Sequence, residues 1–382
     1  MKRIYKLLVL TLAFLITVSC ITPAFSIVLI DEVKNVIIMI GDGMGENHLE
    51  WTKSELGVEL EMDKLPYQGY SKTDSLSGLT DSAAGGTALS CGLHCFNSNL
   101  GTLSLLINGH GATAFNYMNV SEAALKIGKK AGIVTSDVNS GATPASFSVH
   151  TYKRELTEEI TKQQAECNLD LIWAADNGVS DKKMFEDNGW TYSTTEDELK
   201  ELDKNKRSFA AIKGNIFYDT GDENDAPLSE LTALAIERLD NESGFFLMVE
   251  GAHIDKNSHS NIKDGMMNSL VEFDKAVKCA VDFAKEDGNT IVIVTADHET
   301  GAITKDENGQ YGFTSGDHSK ADVPLRLFGS DGLVKDGEHA VNKEVGKFIA
   351  KKLGYTERFP VMTFNPDFFK ELFSAVIASI KD

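Results

Sequence analysis

At 382 residues and 42% apolar content, the chain can build a substantial core, as one large domain or two smaller ones. A formal charge of −20 at pH 7 argues against nucleic acid or anionic membrane as a partner, because both recruit clustered Lys and Arg. An anionic substrate would have to be met by local positive charge, which bound metal ions can provide.

The N-terminus carries Lys2, Arg3 and Lys6 ahead of the apolar run Leu7 to Val18 and then small residues, the layout of a secretory signal. Residues 1–26 are expected to be removed after Ser26, leaving a single catalytic domain over 27–382 outside the cytoplasm. Lipid attachment at Cys20 ranks second, because Thr17 stands where such signals usually carry Leu. The run is too short for a retained membrane span.

"NVIIMI", "AGIVTS", "GFFLMV" and "NTIVIVT" read as fully buried parallel strands between helical patterns, an α/β arrangement. Between the last two, Leu270, Phe273, Val277, Val281 and Ala284 form an apolar stripe at helical spacing that Asp287-Gly288 stops. Acids follow these strands: Asp42 in "IGDGMGE", Glu250 in "VEG", and Asp297 beside His298 in "TADH". Ligands of open parallel sheets lie beyond the carboxyl ends of the strands, so these acids should converge. Crowded carboxylates repel unless cations or protons intervene, and metal binding explains three of them better than three helix caps do. "GDGMGE" fails as a dinucleotide loop, since Glu46 replaces the third glycine and Asp42 would face a pyrophosphate.

Further ligand candidates follow the same logic. Asp255 and His259 are four apart and can face one metal from a helical turn, and His318 sits in a stretch of small and polar residues read as a loop. His48, His94, His110, His150 and His339 lack an acidic partner at useful spacing and read as surface or packing residues; His253, beside the site, stays open. Of the cysteines left after processing, Cys91, Cys95, Cys167 and Cys279 can pair in three ways that sequence does not separate. Cys91 and Cys95 have C-x3-C spacing but no matching second pair, so the thiols read as structural or incidental.

"TDSAAGGTALSCG" sets Asp81 and Ser82 before a run with almost no side-chain bulk. An N-cap on a closely packed helix explains it; so does a nucleophilic Ser82 at a helix N-terminus that favours anions.

Taken together, "IGDGMG", "TDSAAGGTALSCG", "ATPASFSVHTYKR", "VEGAHIDKNSH" and "TADHETG" resemble, in order, the blocks of the alkaline phosphatase family, over about residues 34 to 352. The resemblance implies a three-layer α/β/α sandwich around a large, mostly parallel sheet, and hydrolysis of phosphate monoesters through a phosphoserine. It implies two zinc ions, one on Asp255, His259 and His318 and one on Asp42, Asp297 and His298, and a magnesium on Asp42, Thr143 and Glu250. Ser82 would be the nucleophile, with Asp81 orienting Arg154 by a paired hydrogen bond. Imidazole with carboxylate suits zinc, and an all-oxygen set suits magnesium. Three divalent cations outweigh the four carboxylates and complement a phosphate dianion. Related readings are a phosphodiesterase or sulfatase, although the sulfatase signature C-x-P-x-R is absent, and a non-catalytic phosphate or metal binder.

Two departures stand out. Gly141 occupies the place, two before Thr143, where the family carries an Asp or His that helps hold the magnesium, and Lys256 keeps one half of a familiar pairing; looser magnesium binding is expected. Only a short segment separates His298 from His318, so the family's surface insert should be reduced, and a homodimer, left open by the resemblance, would lack contacts through it. Residues 155–243 are less recognisable and should hold helices flanking the sheet. The tail 355–382 carries an amphipathic apolar pattern from Phe368 onward that should pack on the domain.

Overall fold

A run such as Val36–Ile40 has no polar side to turn to water, so it must be covered all round, as an interior strand is on both faces. In the computed structural model, which describes residues 32–222, 224–334 and 337–381, such strands form the middle of a ten-stranded sheet. The expected leader and Cys20 lie outside the described residues. In chain order the strands are β1 (Asn35–Gly41), β2 (Tyr67–Lys72), β3 (Lys130–Val138), β4 (Leu171–Ala175), β5 (Thr191–Ser193), β6 (Ser208–Ile212), β7 (Phe245–Gly251), β8 (Thr290–Thr295), β9 (Val323–Phe328) and β10 (His339–Val341). Their spatial order is β10-β2-β9-β8-β1-β7-β3-β4-β6-β5. From β8 to β5 every pairing is parallel, and only β9 runs against its neighbours.

Alternate side chains of the central strands feed opposite cores. Ile37, Met39, Leu247, Val249, Val292 and Val294 pack with the predicted stripe of the Lys263–Asp287 helix, which ends in left-handed Gly288. Val36, Ile38, Ile40, Phe246 and Met248 pack on the other face with Val120, Leu89 and Ile349. The result is the expected α/β/α sandwich. That helix connects β7 to β8, which lie on either side of β1, so the crossover spans one intervening strand.

Residues 155–243 differ from expectation. They contribute β4, β5 and β6, the far parallel edge of the sheet, as well as helices. Runs of three to five residues, such as "LIWAA" and "SFAAI", are too short to show a period, and pairing decides their conformation, β4 with β3 and β6 with β4. The Phe368–Lys381 helix lies on a small antiparallel sheet, where Ala375 is buried and Glu371 accepts from the Thr113 N–H at 2.9 Å, while Phe369 and Phe373 face outward. No helix among the described residues is long and apolar enough to cross a membrane.

One buried acid away from the site gives the fold a pH dependence. Asp274 accepts the N–H groups of Glu61 (2.7 Å) and Met62 (3.0 Å), yet burial outweighs these bonds and pushes it up to about 6. A carboxyl whose folded pKa is raised stabilises the fold fully below its unfolded pKa and loses that contribution as pH rises through the folded value. Between pH 4 and 7 the wild type should therefore lose about 2 to 3 kcal/mol more unfolding free energy than Asp274→Asn. Urea unfolding at several pH values checks this; parallel profiles would count against it.

Candidate active site

The sheet register brings the acids together. Ile40 of β1 pairs with Glu250 of β7 on one side and Thr295 of β8 on the other, and Glu250 pairs with Thr135 of β3. Asp42 and Asp297, just beyond their strands, and Glu250, the penultimate residue of β7, thus meet at one carboxyl edge. All three are buried.

Two groups of side chains each gather ligand atoms within 4.8 Å of one another: Asp255, His259 and His318, and Asp42, Asp297 and His298. Asp255 and His259 come from one turn of the His253–His259 helix. His318 is not in a loop as expected; it pairs with Thr300 in a short antiparallel ladder, which fixes its ring beside His298 with centroids 3.6 Å apart.

The histidine tautomers follow from their neighbours. His259 Nδ1 lies 2.6 Å from the Gly316 carbonyl and His318 Nδ1 lies 2.8 Å from that of Thr80. A carbonyl only accepts, so each neutral ring carries its proton on Nδ1 and leaves Nε2 bare. The two bare Nε2 atoms face each other at 3.2 Å. Two lone pairs at that distance repel unless a cation lies against both. His298 follows the same pattern: Thr300 Oγ1 donates to Asp255 Oδ1 (2.5 Å) and so accepts from His298 Nδ1 (3.2 Å), leaving Nε2 toward Asp42 Oδ1 (3.5 Å) and Asp297 Oδ2 (3.3 Å).

The acids show the same deficit. Asp42 Oδ1, Thr143 Oγ1, Glu250 Oε1 and Asp297 Oδ2 are buried with no hydrogen-bond partner among the described residues. Such atoms cost free energy unless something else satisfies them. Burial, then the charges of Asp297, Asp255 and Glu250, pushes Asp42 well above the usual carboxylate range. Glu250 is raised to about 8 by burial and then by Asp137, and Asp297 to about 7 by burial and then by Asp255. His298 is held far below the ordinary imidazole value by burial and by the positive charge of Arg154. Bare nitrogens and orphaned carboxylate oxygens are the donor set that divalent cations require.

Ser82 opens the Ser82–Cys91 helix, every residue of which is buried. The N-cap reading holds, since Asp81 accepts from the Ala84 N–H at 2.9 Å, and Ser82 points into the site with its Oγ 3.1 Å from His298 Nε2. The small residues have a physical cause. A Cβ on Gly85 would come within 2.7 Å of the Asp297 carbonyl oxygen, and one on Gly86 would collide with Ser146 of the Ala142–Ser146 helix that carries Thr143. Bulk there would push the serine away from the acids.

A sequence model of the alkaline phosphatase family matches residues 33–171 and 169–325. The chain belongs to the alkaline phosphatase family. It is 33% identical over 310 residues to alkaline phosphatase 4 of Bacillus subtilis, a match covering 73% of this chain and 64% of that one. It is likewise 33% identical to alkaline phosphatase 3 of that organism, over 65% of the relative's length, so the chain spans a little under two thirds of both. The alkaline phosphatase of the Antarctic bacterium TAB5 superposes with a TM-score of 0.72 at 28% identity, covering 85% of this chain and 99% of that one. A variant of the TAB5 enzyme has been solved with magnesium bound in a site called M3.

Several expectations need correction against this alkaline phosphatase fold. Asp81 and Arg154 make one long contact, Nη1 to Oδ2 at 3.5 Å, not a paired one, because Asp81 Oδ1 accepts from the Ala84 N–H (2.9 Å) and Oδ2 also from the Ser98 N–H (2.9 Å). His150 and His339 do have acidic partners, Glu122 at 3.0 Å and Asp322 at 2.6 Å, brought close by tertiary structure and not by spacing. His48 packs in the interior, and His253 stacks on Phe217. Cys91, Cys95, Cys167 and Cys279 are all free thiols. Lys256 is not half of a lost pair; its ammonium meets Asp137. Sequence reasoning passed over Thr300, although it lies in the quoted block "TADHETG", and Asp137, which had no local signal.

Proposed function

We propose that this protein hydrolyses phosphate monoesters to alcohol and inorganic phosphate through a phosphoserine on Ser82. The observation that carries the reading is Ser82 Oγ against His298 Nε2, at a helix N-terminus and beside two groups of metal-ligating atoms with unsatisfied lone pairs. Asp255, His259 and His318 would hold one zinc ion, Asp42, Asp297 and His298 a second, and Asp42, Thr143 and Glu250 a magnesium. Bound there, the ions would supply the positive charge that makes a hydroxyl reactive and neutralises a phosphate dianion. Ser82 Oγ gives up its proton as it forms the bond to phosphorus and the bond to the leaving oxygen breaks, that oxygen taking up a proton to depart as the alcohol; water then attacks the phosphoserine, its oxygen joining the phosphate and a proton restoring the serine hydroxyl. The helix N-terminus favours the anion, and the planar Arg154 fork suits two non-bridging oxygens.

We further read residues 1–26 as a leader, and the mature chain as an extracytoplasmic enzyme acting on small phosphate esters, with a homodimer open. The test compares an aryl phosphate monoester with the corresponding diester. The monoester should be the better substrate, and Arg154→Lys should lower its kcat/KM about 10- to 100-fold through loss of a paired, charged contact. A wild type that prefers the diester would replace this reading with a phosphodiesterase.

A further inference from the structure

Gly141 has φ −54° and ψ 150°, a conformation open to any residue, so its backbone does not require glycine. Its surroundings do. A Cβ on residue 141 would run into the carboxylate of Asp137, which already fills that space. Asp137 gets there through a break in strand pairing: Val134 of β3 pairs with Trp173 of β4 and Val138 with Ala175, so the intervening stretch of β3 is longer than its partner and bulges out. Bulges of this kind re-aim side chains.

The redirected carboxylate is built into the acidic edge. The Asp137 N–H donates to Thr135 Oγ1 at 2.8 Å, and the same hydroxyl donates to Glu250 Oε2, so one side chain ties Asp137 to Glu250. Asp137 Oδ1 accepts from the Val138 N–H (2.8 Å) and from Lys256, while Oδ2 leans over Gly141, two residues before Thr143. Glu250 Oε1 and Thr143 Oγ1, both in residues nearly fully buried, are the unsatisfied atoms of this corner.

We propose that Asp137, held by Lys256, is a positioning residue of the all-oxygen cation site on Asp42, Thr143 and Glu250, supplying from the β3 bulge the negative charge that position 141 lacks. The inference rests on the metal reading above and reverses the expectation of loose magnesium binding. Residues that orient a metal's ligands without coordinating typically change affinity 10- to 100-fold when removed.

The test is calorimetric titration of Mg2+ into the full-length, zinc-restored protein, repeated with Mn2+ followed by electron paramagnetic resonance. Asp137→Asn should weaken both about 10- to 100-fold while leaving the zinc content unchanged. The double variant Asp137→Ala/Gly141→Asp, which moves the acid across the space the two positions share, should recover affinity lost by Asp137→Ala alone. A folded Asp137→Asn protein that binds Mg2+ within about twofold of wild type would make Asp137 merely structural and overturn the inference. Wild type that takes up two zinc ions and no Mg2+ would overturn it too, leaving the hydrolysis reading standing; wild type that takes up neither metal overturns both.

Discussion

Ser82→Ala should lower kcat on an aryl phosphate by about 10³-fold or more, the scale of loss when a nucleophile that acts with its surroundings as a unit is removed. The variant should stay folded, because among the described residues the Ser82 side chain makes one hydrogen bond, to His298, and alanine is a good helix former in the same first-turn position. Wild type quenched with acid during turnover should carry one phosphoryl group on the peptide containing Ser82, and the variant none. Peptide mass spectrometry with steady-state kinetics checks both. A variant keeping more than about a tenth of the activity would put the nucleophile elsewhere and end the phosphoserine proposal.

Removal of metal should have an effect of similar size. The site crowds Asp42, Asp255, Asp297 and Glu250 at one sheet edge, with bare histidine nitrogens 3.2 Å apart. Without metal cations the charge is relieved only by protons and the neighbouring Arg154, which do not activate the serine, and a serine hydroxyl alone is a weak nucleophile at neutral pH. Exhaustive chelation should therefore abolish hydrolysis, by about 10³-fold or more, with zinc restoring it and magnesium alone failing to. The fold should weaken as well, since an ion present at 1,000 times its dissociation constant contributes about 4 kcal/mol to stability. Differential scanning calorimetry before and after chelation, alongside elemental analysis, measures both; an undiminished rate in metal-free protein would remove the metal reading. Asp42→Ala offers a sharper version, because Asp42 is proposed to face two of the three ions and its loss should lower the content of both.

Much of this was legible because the relevant residues signal locally. Asp255 and His259 share a helical turn, Asp297 and His298 are neighbours, and the short, uninterrupted, β-branched apolar run of β1 has the length and composition of an interior strand. Thr300 was readable in principle, sitting two residues from His298. Asp137 was not, because its role depends on a strand bulge and on the emptiness of Gly141, neither of which has a period or motif. The acidic partners of His150 and His339 escaped for the same reason, and so did β4 to β6, whose runs are shorter than the patterns that announce strands.

The amino-acid order by itself determined that the runs of β1, β3, β7 and β8 are interior strands, that one helix starts at Ser82 and another stops at Gly288, and which acids and serine stand at those ends, because burial periodicity and capping act over a few residues. Only the tertiary structure decided the proton positions of His259, His298 and His318, the single long contact between Asp81 and Arg154, and the meeting of Asp137 with Lys256. Those depend on which carbonyl, hydroxyl or ammonium arrives from a distant segment, and hydrogen bonding and charge act only over the few ångströms that folding closes.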